Sequence, residues 1–250
     1  GAPSLSARSQ SFLLLDGQHA HGYGGDERRW RVHRVVLLSA ALTQFSRLFG
    51  SYPYQTLRIV EGDFLDGMEY CGLFFLGRDY YAVYNGTLRN YLTTIAAHET
   101  AHQWWSCLVG NDPAREPWLD EALATFSELL YYEEHHTDAV GWWWDVRVHR
   151  FGPRGWVDSS VYEFSSLRAY IDSVYLRGVL FFEGYSSLRT CVHRWARALW
   201  RQRCASMHIH MRVKSPLMLL YGLLWRSTAQ CRYTHYVHDT SGRRPSGHEL

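Results

Sequence analysis

The chain has 250 residues, of which 46% are hydrophobic, 16% aromatic and 20% charged. That is the composition of a globular protein, long enough for one large core or two small ones, and it excludes a disordered or low-complexity chain. The formal net charge of +2 points to no polyanionic partner, and no apolar run reaches the roughly 18 residues of a membrane span, so a soluble chain is expected.

Residues 1–38 are weakly patterned, with a Gly-rich patch at 22–25 and a short basic segment at 28–34. The run Phe12-Leu13-Leu14-Leu15 is too short for a signal peptide and lacks its basic flank, so the cellular location is not legible. The spacing of Leu42, Phe45, Leu48 and Phe49 predicts a helix over 39–49, ended by Gly50. Alternation predicts a strand over 56–60, with Leu57 and Ile59 on one side and Arg58 on the other, and a further strand over 68–76. Helices are predicted over 89–105, 117–134 and 173–183, the first two separated by the turn Gly110-Asn111-Asp112-Pro113. Trp142, Trp143 and Trp144 read as packing residues, and His135 and His136 as the end of a helix. Strands followed by helices, without βαβ alternation, predict an α+β domain. The five cysteines, at 71, 107, 191, 204 and 231, are odd in number and widely spaced; they argue against a zinc ribbon and against a disulfide framework.

The most informative stretch is 98–121. In His98-Glu99-Thr100-Ala101-His102 the two histidines lie four apart, on one face of a helix, and can aim at a single ion. Glu99 stands beside that ion with its carboxylate free to take a proton from water. A helix face cannot close around a tetrahedral ion alone, so a third ligand must come from elsewhere. Glu121, in Pro117-Trp118-Leu119-Asp120-Glu121, follows His102 after 18 intervening residues, on its own predicted helix. Glu128, seven residues further, shares roughly the face of Glu121 and is placed to accept the second N–H of a metal-bound histidine, or else is an exposed carboxylate. One Zn²⁺ and peptide-bond hydrolysis are the chemistry this pattern points to.

Four pieces together resemble the aminopeptidase N and leukotriene hydrolase family of gluzincins. The zinc motif has that family's 18-residue gap, and Trp118-Leu119-Asp120-Glu121 is similar to its Trp-Leu-Asn-Glu. Asp66-Gly67-Met68-Glu69-Tyr70 is similar to the exopeptidase signature Gly-Ala-Met-Glu-Asn, and Gly50-Ser51-Tyr52-Pro53-Tyr54 to Gly-x-Tyr-Pro-Tyr. Ser173-Val174-Tyr175-Leu176-Arg177-Gly178 resembles the segment bearing the family's catalytic tyrosine. The resemblance implies a thermolysin-like catalytic domain over 39–184, a small mixed sheet and a helical half with the zinc helix between. It implies zinc held by His98, His102 and Glu121, Glu99 as general base, and the Tyr175 hydroxyl stabilising the oxyanion. It further implies Gly67, Met68 and Glu69 at the substrate, with Glu69 binding the free α-ammonium group of a peptide. Tyr70 in place of Asn is a departure that bears on main-chain pairing with substrate.

Residues 1–38 are then a remnant preceding the catalytic domain. Beyond it the composition changes: 1–184 hold 15 basic and 22 acidic residues, while 185–250 hold 11 basic and only Asp239 and Glu249. This anomalous basic tail is read as an aberrant or out-of-frame extension, or a truncated helical region. Arg194, Trp195, Arg197, Trp200, Arg201 and Arg203 interleave charge and aromatics as single-strand binders do, but no binding fold accompanies them and nucleic acid is not expected as a partner. The alternative to an aminopeptidase is an inactive zinc-binding fragment or peptide-binding module lacking flanking domains.

Overall fold

Four short strands, β1 (Leu13–Asp16), β2 (Thr56–Gly62), β3 (Gly67–Tyr70) and β4 (Leu73–Gly77), form one sheet in the order β1-β2-β4-β3. β1 runs parallel to β2 and β2 parallel to β4, while β3 is antiparallel to β4 and forms the edge. The computed structural model describes residues 13–16 and 27–184. The Gly-rich patch at 22–25 and the basic tail 185–250, with His208, His210 and three of the cysteines, lie outside the described residues.

The sheet is mixed and much of the rest is helical, as expected, but the helix predicted over 89–105 ends at Ala101 and three further elements differ. Helix α1 (Glu27–Phe49) begins 12 residues before the predicted start and stands between the parallel strands β1 and β2, so one βαβ unit is present. The segment predicted as one strand over 68–76 is a hairpin: β3 turns at Cys71-Gly72 into β4, with Gly72 at φ +79°. That φ is open to glycine and costly for most other residues, which is why a lone Gly in an apolar run marks the turn. The helix predicted over 173–183 is the end of a longer helical segment: α6 (Leu167–Tyr170), a π-helical stretch Ile171–Leu176, and α7 (Arg177–Gly184). Between them and the sheet come α2 (Arg78–Ala82), α3 (Tyr91–Ala101), α4 (Glu121–His135), and α5 (Val140–Trp143) with its π-helical continuation Trp144–Val148.

α3 packs against α1 and α4 and also touches β3 and β4, so it lies between helices and sheet. Every residue from Leu92 to Ala101 is buried, and the threonines among them are hydrogen-bonded locally, Thr94 to the Asn90 carbonyl and Thr100 to the Ala96 carbonyl. Below its C-terminal end, Phe45, Phe49, Trp104 and Trp105 pack edge-on and tilted, with centroids 4.6–6.2 Å apart. Burying each such ring contributes about 1.5–3 kcal/mol. The Gly-x-Tyr-Pro-Tyr segment serves this cluster. Trp104 Nε1 donates to the Gly50 carbonyl (2.7 Å), and the buried Tyr52 donates through its hydroxyl to the Thr56 carbonyl (3.0 Å). These bonds tie the end of α1 to the start of β2 and to the exit of α3.

The cysteine reading needs correction. Cys71, in the β3–β4 turn, is disulfide-bonded to Cys107, just beyond α3. Pairing across a sequence separation of 36 residues is a tertiary event that cysteine spacing does not encode.

Candidate metal centre

α3 starts at Asn90, whose side-chain oxygen accepts from the Thr93 N–H (2.8 Å). Such a cap contributes about 1 kcal/mol and fixes the helical register. The helix carries His98 in its last turn and ends with His102 as C-cap, which keeps right-handed helical dihedrals (φ −61°, ψ −14°). Both imidazoles therefore stay on one face. Pro117 opens a 3-10 turn, and α4 follows with Glu121 as its first residue. His98 Nε2 lies 3.1 Å from His102 Nε2 and 3.1 Å from Glu121 Oε2, and His102 Nε2 lies 3.4 Å from the same oxygen. Ligands about 2.0–2.1 Å from a tetrahedral zinc ion stand about 3.3–3.4 Å apart, so this donor set fits one.

Each imidazole is oriented from behind. His98 Nδ1 donates to Glu128 Oε1 (2.7 Å), and His102 Nδ1 donates to Asp120 Oδ1 (2.7 Å), with the Trp105 carbonyl 3.1 Å away. A histidine that donates through Nδ1 presents its Nε2 lone pair to the shared point. Glu128 is fully buried and also accepts from Arg147, through Nη2 (2.8 Å) and Nε (3.0 Å), and from Trp143 Nε1 (3.0 Å). Asp120, Trp143 and Arg147 are not legible as site residues from the sequence, Asp120 being marked only by its place beside Glu121. Trp143 is deeply packed, as read, but also bonds the carboxylate behind His98.

The charges around the pocket are strongly coupled. Burial disfavours the imidazolium of His98, but Glu121 and Glu128 outweigh it and raise its pKa to about 9. Burial likewise opposes a charged His102, and Asp120 and Glu121 carry it well above its ordinary value. Glu121 shows the converse, with burial overcome by His102 and His98 so that it stays ionised. Glu99 is pushed up to about 8, by burial first, with His102 and His98 opposing.

Glu99 is buried, and its Oε2 has no hydrogen-bond partner among the described residues. Its other oxygen backs onto β3, where a Cβ at Gly67 would fall 2.2 Å from Oε1. Glu69, on β3, pairs in register with the buried Phe74, so its side chain takes the inward face. Ligand atoms of Glu69, Glu99 and His102 all lie within 4.8 Å of one another. Desolvation raises the Glu69 pKa, with His102 working against it. Met68 and Tyr70 alternate to the outer face and are exposed, Tyr70 edge-on to Phe75 at 5.8 Å. Of the predicted substrate trio, Met68 thus turns its side chain away from the donors. Asp66, at φ +76°, accepts from the Tyr80 hydroxyl (2.7 Å).

Tyr175 stacks on His98, ring centroids 5.8 Å apart and planes 11° from parallel. It sits in the π-helical stretch Ile171–Leu176, a conformation that recurs at functional sites because it re-aims one side chain. Burial, then the charge of nearby Glu121, hold its pKa well above the phenol range.

Residues 37–163 match the Peptidase family M1 domain, and the chain belongs to that family. Yeast LTA4 hydrolase in complex with bestatin superposes with a TM-score of 0.61, 16% identity, over 88% of this chain and 37% of that one. A mutant of a two-domain M1 zinc metallopeptidase bound to L-tryptophan gives 0.55 at 20% identity, over 98% and 52%. An aminopeptidase N family protein from Idiomarina loihiensis gives 0.51 at 16% identity, over 77% and 39%. These likenesses are of fold, and the chain spans between 37% and 52% of the length of those structures. No described helix is long and apolar enough to cross a membrane.

Proposed function

We propose that this chain is the thermolysin-like catalytic domain of a zinc aminopeptidase that removes N-terminal residues from peptides. The observation that carries the reading is the convergence of His98 Nε2, His102 Nε2 and Glu121 Oε2 to 3.1–3.4 Å beside the unpartnered oxygen of Glu99. His98, His102 and Glu121 are the residues that would hold zinc. When bound, zinc supplies Lewis acidity, polarising the scissile carbonyl and lowering the pKa of water it binds towards about 7.

The protein's own groups divide the remaining work. Glu99 accepts the proton of the attacking water and hands it to the leaving amine. Tyr175 donates its hydroxyl to the oxyanion. Glu69 pairs with the α-ammonium group and so selects peptides with a free N-terminus. β3 is the sheet edge, with β4 its one strand neighbour among the described residues, and apart from the Tyr70 carbonyl, which Gln103 takes, its outer side is left for an extended peptide.

A second reading has its own support. Because the chain covers about half or less of its structural neighbours, a zinc- and peptide-binding module without turnover is the alternative. Zinc content and peptide hydrolysis on the purified chain separate the two, with Glu99→Gln as control. One equivalent of zinc and release of amino acids from an unblocked peptide, abolished in Glu99→Gln, are expected. Zinc without turnover selects the module, and no zinc overturns both.

A further inference from the structure

Gln103 follows directly on His102 and is fully buried. Its amide is engaged by one short piece of chain, the β3–β4 turn: Nε2 donates to the Tyr70 carbonyl (3.0 Å), and Oε1 accepts from the Gly72 N–H (2.8 Å). Between those two residues lies Cys71, bonded to Cys107. The last residue of β3 and both turn residues are thus fastened to the segment that leaves the metal helix. Glu69 precedes Tyr70 on β3.

A buried carboxamide that donates to one end of a turn and accepts from the other fixes both distance and register, because leaving either backbone group unpaired is costly. β3 has only four residues and a partner strand on one side. Its hold on α3 therefore rests heavily on this turn. We propose that Gln103 is a positioning residue for amine recognition: it locks the β3–β4 turn to the end of α3, so that the Glu69 carboxylate stands at a set distance from Glu99 and His102. The role of Glu69 in this rests on the aminopeptidase reading; the tie between turn and helix does not.

A residue that only packs the core would lower stability and leave the discrimination between substrates alone. A positioning residue acts on KM for substrates that use Glu69. The test is Gln103→Met, which keeps length and volume and loses both bonds, made in the full chain. Zinc content, Gly72 amide exchange, and kcat and KM are measured on an unblocked peptide and its N-acetylated counterpart. Expected are unchanged zinc, faster Gly72 exchange, a KM for the unblocked peptide raised about tenfold with kcat held within about threefold, and no change on the acetylated peptide. If Gln103→Met does not fold, Gln103→Glu keeps the acceptor for Gly72 and is expected to raise the same KM by a smaller factor. Unchanged discrimination in the variant, against a wild type that prefers free amines, overturns this proposal alone. A zinc-loaded wild type with no such preference overturns the aminopeptidase reading, and with it the purpose assigned to the tie, whatever Gly72 exchange shows.

Discussion

Arg147 grips Glu128 through both carboxylate oxygens, Nη2 at 2.8 Å from Oε1 and Nε at 3.0 Å from Oε2, behind the histidine that Glu128 orients. With Trp143 and His98 the carboxylate accepts four bonds, so it is buried without being orphaned. Burial disfavours the Arg147 charge, but Glu128 more than restores it. Removing one member of such a pair leaves an uncompensated charge, a loss of about 3–5 kcal/mol. Arg147→Met is expected to destabilise by that amount in urea denaturation, and Arg147→Met with Glu128→Gln to recover most of it. A single-variant cost under about 1 kcal/mol is incompatible with a buried pair.

Metal removal should act on stability as well as on rate. His98 and His102 are buried and Glu121 is nearly so, and the three converge on one point. A ligand that binds only the folded state stabilises it by about 4 kcal/mol at a thousandfold excess over its Kd. A chelator is expected to lower the thermal midpoint and stop peptide hydrolysis, and added zinc to restore both. A His102→Ala chain should show neither response. A wild-type midpoint indifferent to chelator and zinc excludes zinc binding at these donors.

Tyr175 and Tyr170 pack edge-on, ring centroids 5.5 Å apart, yet only Tyr175 stacks on His98. Tyr175→Phe is expected to lower kcat by about 10²–10³-fold with zinc content unchanged, the usual loss of one oxyanion donor. Tyr170→Phe should stay within about tenfold, since it acts through Tyr175. A Tyr175→Phe chain of near wild-type rate would remove the hydroxyl from the reaction.

The contrast between Glu121 and Arg147 explains what the sequence made legible. His98 and His102 were readable because residues four apart on a helix share a face, and Glu121 because its gap and Pro117 marked a second helix start. Glu128 was readable, as one of two options, from its seven-residue step. Arg147 meets Glu128 through the packing of a π-helical stretch against α4, and no spacing rule spans that geometry. The same holds for Gln103 and the β3–β4 turn, hidden because Cys71-Gly72 sits within an apolar run that reads as one strand. The start of α1 was missed for a different reason: residues 27–38 carry a basic segment in place of a clear apolar stripe.

The bridge between Cys71 and Cys107 encloses β4, α2 and all of α3, so it constrains the part of the chain that carries His98, Glu99 and His102. For a separation of 36 residues, the loop-closure entropy removed from the unfolded chain corresponds to about 3–4 kcal/mol at 25 °C. Reductant is expected to lower the unfolding free energy measured in urea by up to that amount, and Cys71→Ser with Cys107→Ser to lower it equally while becoming insensitive to reductant. Zinc content should survive, because Gln103 still holds the turn and Asn90 still caps the helix. KM for the unblocked peptide should rise further when Gln103→Met is combined with reduction than with either change alone, since each then loses its substitute. Thiol titration fixes the interpretation: a midpoint unmoved by reductant, in a chain whose Cys71 and Cys107 have been shown to go from bonded to free, means that folding does not draw on this closure.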